Sequence, residues 1–502
     1  MSRKRVLIFV VSYNAEKTIQ SVLGRVPRSL FDEPRYSTDI LVIDDCSKDQ
    51  TFATGYQYKY AHGTLPLTIL KNPRNLGYGG NQKLGYNYAI ACGYDVVALL
   101  HGDGQYAPEE LPKLLEPLIN GECEAVFGSR MSVPGRALAG GMPKYKYVGN
   151  KILTRVENAI IGASLSEWHS GYRLYSVKTL ASIPFEYNAD YFDFDTDIII
   201  QLCAIGARIR ELPIPTFYGD EISHVNGTLY AMKIVRACIQ YRLQQLGLFY
   251  DRKFDIAKAN SYYQPKFHFR SSHSMGLDAV EPHDKLLLFG SGPAELVAPF
   301  KNKAASVTAI DQYVTPELEQ VADVAIQGDL DELEFSSLPQ LGNYTKILAL
   351  DVIEHLRSPE TFLTNVRNSF PSGATKLILT TPNVAFLPIR LMLLLGSFNY
   401  GKRGILDMTH TRLFTFRSLR KLLQQHGFEV TSLRAVPAPF PLALKSQWLG
   451  RTLLAVNRSL NVFLRGMFSY QIYCEARPRP TTSYLLELAK REAQCEVNKQ
   501  LH

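Results

Sequence analysis

Short apolar runs, each followed by a helical pattern, recur along residues 5–215, and the same alternation begins again at Lys285. A chain patterned in this way folds as layered α/β structure, a mostly parallel sheet covered by helices. In the first half, strands are expected at Val6–Val11, Asp39–Ile43, Leu67–Leu70, Val96–Leu100 and Ala125–Phe127. In the second half they are expected at Leu286–Phe289, Ser306–Ile310, Lys346–Leu350, Lys376–Thr380 and near Tyr470–Cys474. A chain of 502 residues is too long for one core. We therefore expect an α/β domain over residues 1–250, a polar and aromatic linker over 251–282, and a second α/β domain over 283–480. A polar helix is expected over 481–502, capped by Thr482 or Ser483 and supported by Glu487 four residues before Arg491.

Composition narrows the class. Hydrophobic residues at 46% and charged residues at 20% are ordinary for a water-soluble globular protein. No apolar run approaches the roughly 18 residues of a membrane span, and Val6–Val11 is too short for a signal peptide. The seven cysteines are odd in number and form no CxxC pair, which fits free thiols in a reducing cytoplasm. A net charge of +8 suits phosphate-bearing substrates or an anionic membrane surface. With no basic run, stacking motif or zinc signature, no nucleic-acid partner is expected.

The chemistry is concentrated where strands end. The run Val97–Leu100 stops at His101-Gly-Asp103-Gly-Gln105, a carboxylate between two glycines. An acid at a strand tip can hold Mg²⁺ or Mn²⁺ against a diphosphate, since these ions prefer oxygen ligands. The first strand runs into Ser12-Tyr13-Asn14-Ala15-Glu16 and the second into Asp44-Asp45-Cys46-Ser47. All three ends should fall at the carboxyl edge of the sheet, where open α/β sheets bind ligands. The segment Asn72–Asn81 adds a glycine-rich loop whose N–H groups could approach phosphate.

The set VSYNAEKTI, VIDDCSKDQT, NLGYGGNQ, LLHGDGQYAPE, FGSR, HSGYRLYS and YGDEISHVN resembles glycosyltransferase family 2, over about residues 5–240. Within that family it is most similar to the dolichyl- and polyprenyl-phosphate sugar synthases. The resemblance implies a GT-A type domain, a nucleotide-sugar donor, and a polyprenyl-phosphate or glycan acceptor. It implies that Tyr13, Asn14 and Glu16 line the base and ribose, with Asp44 and Asp45 on the base edge and ribose. Asp103 would bind the metal, with Gln105 as a further ligand, and Arg130 would reach the nucleotide or sugar. Arg173 and His224, and less strongly Lys144 and Lys146, would contact phosphate near the acceptor. The chain departs from the family pattern at His101, where an acid is usual, at Ser12, where proline is common, and at His224, where lysine is common. A phosphate acceptor is already an anionic nucleophile and needs no strong base; a hydroxyl acceptor would need one, with Asp193, Asp195 and Asp197 as candidates.

In the second half, Gly290-Ser-Gly292-Pro-Ala294 follows a strand, and Asp311 ends the next one about 20 residues later. Together with Gly328-Asp329, Asp351-Val-Ile-Glu354-His355 and His410-Thr-Arg-Leu-Phe414, this resembles a class I methyltransferase using S-adenosylmethionine, over roughly residues 265–476. The resemblance implies Gly290 and Gly292 against the methionine portion, Asp311 on the ribose and Asp329 near the adenine, with Asp351 and His355 facing the transfer site. Leu288 stands where the family usually has an acid, and Ala294 replaces the third glycine. A non-catalytic binding or docking module is the alternative; a dinucleotide oxidoreductase is disfavoured by Glu295 at the last GxGxxG position.

Two apolar segments stand apart. Residues 384–408 could form a lid, an acceptor platform or a core helix. In 440–468, Arg451, Arg458 and Arg465 recur every seven residues among Leu, Val, Phe and Trp448. Such a helix either lies at the cytoplasmic face of a bilayer as a peripheral anchor or packs on the core with solvated arginines.

Overall fold

The computed structural model describes residues 3–216, 227–245, 247–256, 265–335, 338–339, 341–440 and 447–500, with backbone only at 341, 447 and 493–500. The chain divides into two compact units, Met1–Gln244 with Asp251–Ala259, and Gln245–Tyr250 with Asn260–His502.

The first unit is built on seven strands: β1 (Lys4–Ser12), β2 (Tyr36–Asp44), β3 (Leu67–Lys71), β4 (Val96–His101), β5 (Ala125–Ser129), β6 (Arg173–Ser176) and β7 (Ile209–Pro213). Their order is β3-β2-β1-β4-β6-β5-β7. All neighbours are parallel except β6, which runs antiparallel to both β4 and β5. Helices on both faces explain why β1 reads as one apolar run rather than as an alternation. Leu7, Phe9 and Val11 enter one core with Tyr86 and Trp168, while Val6, Ile8 and Val10 enter the other with Ile19 and Leu114. The Gly77–Ala91 helix packs on β1 so closely that a Cβ at Gly85 would stand 2.1 Å from the Phe9 ring.

The second unit repeats the layered plan with β8 (Lys285–Phe289), β9 (Ser306–Asp311), β10 (Val324–Gln327), β11 (Lys346–Leu350), β12 (Lys376–Pro382), β13 (Phe428–Val436) and β14 (Gln471–Pro478). The order is β10-β9-β8-β11-β12-β14-β13, with β14 antiparallel to both of its neighbours. Both sheets are thus mixed, and all ten expected strands are present. The four shorter or less apolar ones, β6, β7, β10 and β13, were not foreseen.

The stretch 251–282 is not a plain linker. Asp251 accepts a hydrogen bond from the Lys253 N–H at the head of a short turn, and the Lys253 ammonium reaches buried Asp197 at 2.9 Å. Residues Ser272–Asp278 form a helix begun by a Ser271–Ser274 capping box, and its Met275 joins the core under β8. The polar look of 271–274 comes from cap residues. The expected C-terminal helix is observed at Thr482–Gln500.

Candidate functional site

The register of the first sheet brings the polar strand ends together. Ser12 pairs with Asp44 across β1 and β2, and Val11 pairs with His101 across β1 and β4. The loops beyond them interlock. Asn14, with φ of 51°, donates its N–H to Ser47 Oγ (2.9 Å) and accepts from the Lys48 N–H (3.1 Å). Glu16 accepts from the Gln50 N–H at 3.1 Å, and Tyr13 remains 47% exposed beside them.

The acids on this edge have different work. Asp44 is fully buried and closes its own turn by accepting from the N–H and hydroxyl of Ser47. Asp45 accepts from Asn72 Nδ2 (2.7 Å) and from the N–H groups of Leu76 and Gly77 (both 2.9 Å). The glycine-rich loop is therefore fastened to Asp45. Its Gly79 and Gly80 N–H groups donate to the Asp190 carbonyl, at 2.8 and 3.1 Å, rather than standing open to phosphate. Asp103 differs. It is half-exposed, and its hydrogen bond from the Gln105 N–H (3.0 Å) lies within its own turn. Gln105 is exposed next to it.

His101 turns away from this edge. Its Nε2 lies 3.2 Å from the Tyr78 hydroxyl, and its ring packs edge-on against Tyr78 and Tyr106. Burial holds the imidazole below its ordinary pKa, against the pull of Asp103 and Asp195, so it stays neutral. A Cβ at Gly171 would stand 2.6 Å from this ring, which is why glycine follows Ser170.

Arg173, expected near an acceptor phosphate, is instead 1% exposed. Its guanidinium donates to the carbonyls of Ser170 (2.7 Å), Trp168 (2.6 Å) and Asp195 (3.0 Å) and lies over the Phe127 ring. Burial opposes its charge, but Asp195, Tyr175 and Tyr78 together outweigh burial and raise its pKa. Arg130 is likewise bound inward, to the carboxylate of Glu167 and to the His169 carbonyl (3.0 Å). Burial works against the Glu167 charge, yet Arg130 and Asn150 hold its carboxyl below the usual range. His169 bridges the Tyr230 hydroxyl (3.1 Å) and fully buried Glu157 (3.2 Å). Asp195 and Asp197 are held by Arg173 and Lys253, and Asp193 lies 4.0 Å from Lys233. Lys144 opens the Lys144–Ile161 helix, with Lys146 in the same turn. His224 and the rest of YGDEISHVN from Tyr218 fall outside the described residues.

In the second unit, Gly290 and Gly292 both have positive φ, 58° and 67°. The Gly292 N–H donates to Asp311 at 2.8 Å, fixing that carboxylate at the end of β9. Asp329, beyond β10, lies 3.4 Å from Gln312 Nε2 and 3.6 Å from Arg357. Leu288 is 4% exposed, so the usual acidic position is occupied by a packed side chain. Asp351, with φ of 57°, accepts from the Thr380 hydroxyl (2.6 Å), Gln471 (2.9 Å) and Ser272 (3.0 Å). Burial pushes its carboxyl up, but Lys266, His273 and these donors bring it below the usual range.

Comparison with known proteins gives both halves a family. Residues 7–180 match the family described as Glycosyl transferase family 2, and residues 261–433 match that described as Methyltransferase domain. The chain joins a family 2 glycosyltransferase domain to a methyltransferase domain. The UDP-N-acetylglucosamine–dolichyl-phosphate N-acetylglucosaminyltransferase of Methanococcus voltae is 27% identical over 238 residues, 45% of this chain and 91% of that protein. The undecaprenyl-phosphate mannosyltransferase of Micrococcus luteus is 29% identical over 236 residues, 46% of this chain and 91% of that protein. Among solved structures, glucosyl-3-phosphoglycerate synthase from Mycobacterium tuberculosis, in complex with Mn²⁺, UDP and phosphoglyceric acid, is 16% identical with a TM-score of 0.37, covering 51% of this chain and 80% of that one.

In the glycosyltransferase domain, then, Asp103 and Glu16 are acids at the strand edge that reach solvent, while Arg130, Arg173 and His101 are bound inward and form a wall behind it. Glu157, Glu167 and Tyr230 are polar members of that wall that no local motif announces.

Proposed function

We propose that the first domain transfers a sugar from a nucleoside diphosphate donor to a polyprenyl phosphate, and that the second methylates a related substrate with S-adenosylmethionine. The observation that carries the first half is the meeting of three strand ends at one edge where Asp103, unlike buried Asp44 and Asp45, reaches solvent. Asp103 and exposed Gln105 offer oxygen ligands and fit Mg²⁺ or Mn²⁺. With His101 turned inward, the donor's own phosphates complete the shell. A bound cation would neutralise the departing diphosphate as charge builds on it. The curated relatives named above act on dolichyl or undecaprenyl phosphate, which supports the acceptor class. Of the three base candidates for a hydroxyl acceptor, Asp197 is held by Lys253 at 2.9 Å and Asp195 by Arg173 at 3.8 Å, while Asp193, 4.0 Å from Lys233, is the least engaged. Tyr13, Asn14, Glu16, Asp44 and Asp45 shape the base and ribose end of the pocket.

Gly290, Gly292, Asp311 and Asp329 suit S-adenosylmethionine because they gather a tight glycine turn and two carboxylates at one sheet edge. Calorimetric titration of the purified chain should show micromolar binding, weakened at least about tenfold in Asp311→Ala, the worth of one good hydrogen bond to a charged group. No heat at millimolar ligand from a folded sample would leave a non-catalytic docking module, the reading that packed Leu288 favours.

Peripheral membrane association is supported by the helical segment Gln447–Phe468, kinked at Leu464, whose faces are inverted. Asparagines form its buried seam: Asn457 accepts from the Ala438 N–H (3.2 Å), and Asn461 donates to Asn457 (3.2 Å). Trp448, Val462 and Phe463 are 75–82% exposed. Exposed Leu394 and Leu395 of the 384–408 segment add to the apolar surface, while Ile389 and Met392 of the same segment are buried. An apolar face with nearby arginines suits an anionic bilayer interface. No helix among the described residues is long and apolar enough to cross a membrane. Cosedimentation with anionic vesicles should fall at least about tenfold in Trp448→Ser/Phe463→Ser, and unchanged cosedimentation would remove this helix from the reading.

A further inference from the structure

At the carboxyl end of β11 the second unit gathers one glutamate and two histidines, a set that methyl transfer does not itself require. Glu354 is 1% exposed, and among the described residues neither of its carboxylate oxygens has a partner in well-formed hydrogen-bond geometry. The Thr381 hydroxyl is the polar side-chain group beside it. A carboxylate removed from water without donors is strongly unfavourable unless a positive charge meets it. His355 and His410 are positioned to hold that charge. One ligand atom from each of Glu354, His355 and His410 lies within 4.8 Å of the others, and the two rings stand edge to face at 4.8 Å.

The surrounding hydrogen bonds orient both rings. His355 Nδ1 lies 3.2 Å from the Thr409 carbonyl, and His410 Nδ1 lies 2.9 Å from the Ile405 carbonyl. A carbonyl can only accept, so each Nδ1 carries the proton and each Nε2 keeps a lone pair. This is the arrangement by which outer-shell partners prepare imidazoles for a metal. The loop bearing His410 is tied to the glutamate itself: the Thr411 and Arg412 N–H groups donate to the Glu354 carbonyl at 2.9 and 3.1 Å. The Thr411 hydroxyl donates to the Leu356 carbonyl at 2.6 Å.

We propose that Glu354, His355 and His410 form a binding site for a divalent transition-metal ion such as Zn²⁺ or Co²⁺. Two imidazoles and a carboxylate favour such borderline ions over Mg²⁺, which distinguishes this site from the oxygen-only one at Asp103. Donors around a tetrahedral ion stand about 3.3 Å apart, so a bound ion would draw the three groups together from their separation of up to 4.8 Å. Three protein ligands leave a fourth position for an oxygen ligand from outside the chain.

The test is a Co²⁺ titration of the full-length chain after chelator treatment, followed by visible absorption. One equivalent should bind with the intense visible band of a four- or five-coordinate site, and Zn²⁺ should displace it. The Asp103→Ala chain should give the same band. Glu354→Gln, which preserves volume, and His410→Ala should each weaken binding by about a hundredfold or more; His355→Ala, at an exposed position, should do so without altering the melting profile. The proposal is overturned if the only Co²⁺ bound shows the weak octahedral spectrum and is lost in Asp103→Ala, or if His355→Ala/His410→Ala binds as the unaltered chain does.

Discussion

Replacement of Asp103 by alanine should lower sugar transfer to polyprenyl phosphate by about a thousandfold or more while leaving the fold intact. The size follows from its proposed task. Charge developing on a leaving diphosphate is the main barrier to this transfer, and removing one preorganised stabiliser of such charge typically costs about 3–4 kcal/mol. Loss of the cation as well would enlarge the effect. Stability should hardly change, because the Asp103 side chain accepts a hydrogen bond from the Gln105 N–H just two residues away, and the carboxylate is half-buried. The assay supplies a panel of nucleoside diphosphate sugars with Mn²⁺ and a short-chain polyprenyl phosphate, and follows sugar incorporated into lipid. Asp103→Asn should retain little more activity than alanine, since an amide oxygen binds a divalent cation far more weakly than a carboxylate. Transfer at the unaltered rate in either variant would place the metal, or the whole donor site, elsewhere.

That prediction rests on something legible in the residues: an apolar run that ends in an acid between glycines. The runs of β1, β2, β4, β8 and β11 were equally plain, because a parallel strand covered on both faces must be apolar throughout. The strands that escaped notice have physical reasons to. β6 is four residues long and opens on Arg173, and β7 has no fully buried residue. β13 is an edge strand whose alternation is broken by a bulge between Val430 and Ser432.

At the site, sequence located the acids but not their employment. Asp45 looks like a ligand for ribose until Asn72, Leu76 and Gly77 are seen to close on it, and those partners are brought there only by the fold. Glu157, Glu167 and Tyr230 sit on helices and loops with no spacing that marks them. Their importance comes from burial, which makes an ionisable group costly unless a partner is built beside it. In the same way Glu354 and His355 are adjacent in sequence, yet only the loop returning with His410 makes them a set.

Arg173 is the sharpest case of a residue whose type was informative and whose place was not. An arginine beside a glycosyltransferase motif suggests a hand on phosphate, but this side chain is enclosed and its N–H groups already point at three carbonyls. We expect Arg173→Ala to destabilise the first unit by about 3–5 kcal/mol, the usual result of removing one partner from a buried ion pair. Asp195 would be left nearly buried with one carboxylate oxygen unpaired and only the Tyr78 hydroxyl, at 3.2 Å, to support it. Urea unfolding followed by tryptophan fluorescence reads this directly. Of the two tryptophans, Trp168 is fully buried in the first unit, with its carbonyl accepting from Arg173, whereas Trp448 is already 75% exposed. The double variant Arg173→Met/Asp195→Asn should recover part of the loss, because it removes the orphaned charge rather than exposing it. A different pattern would reinstate the direct role: Arg173→Ala with an unchanged unfolding midpoint, a raised KM for the lipid phosphate and no recovery in the double variant. The two outcomes separate a brace behind the site from a hand within it, and the enclosed guanidinium favours the brace.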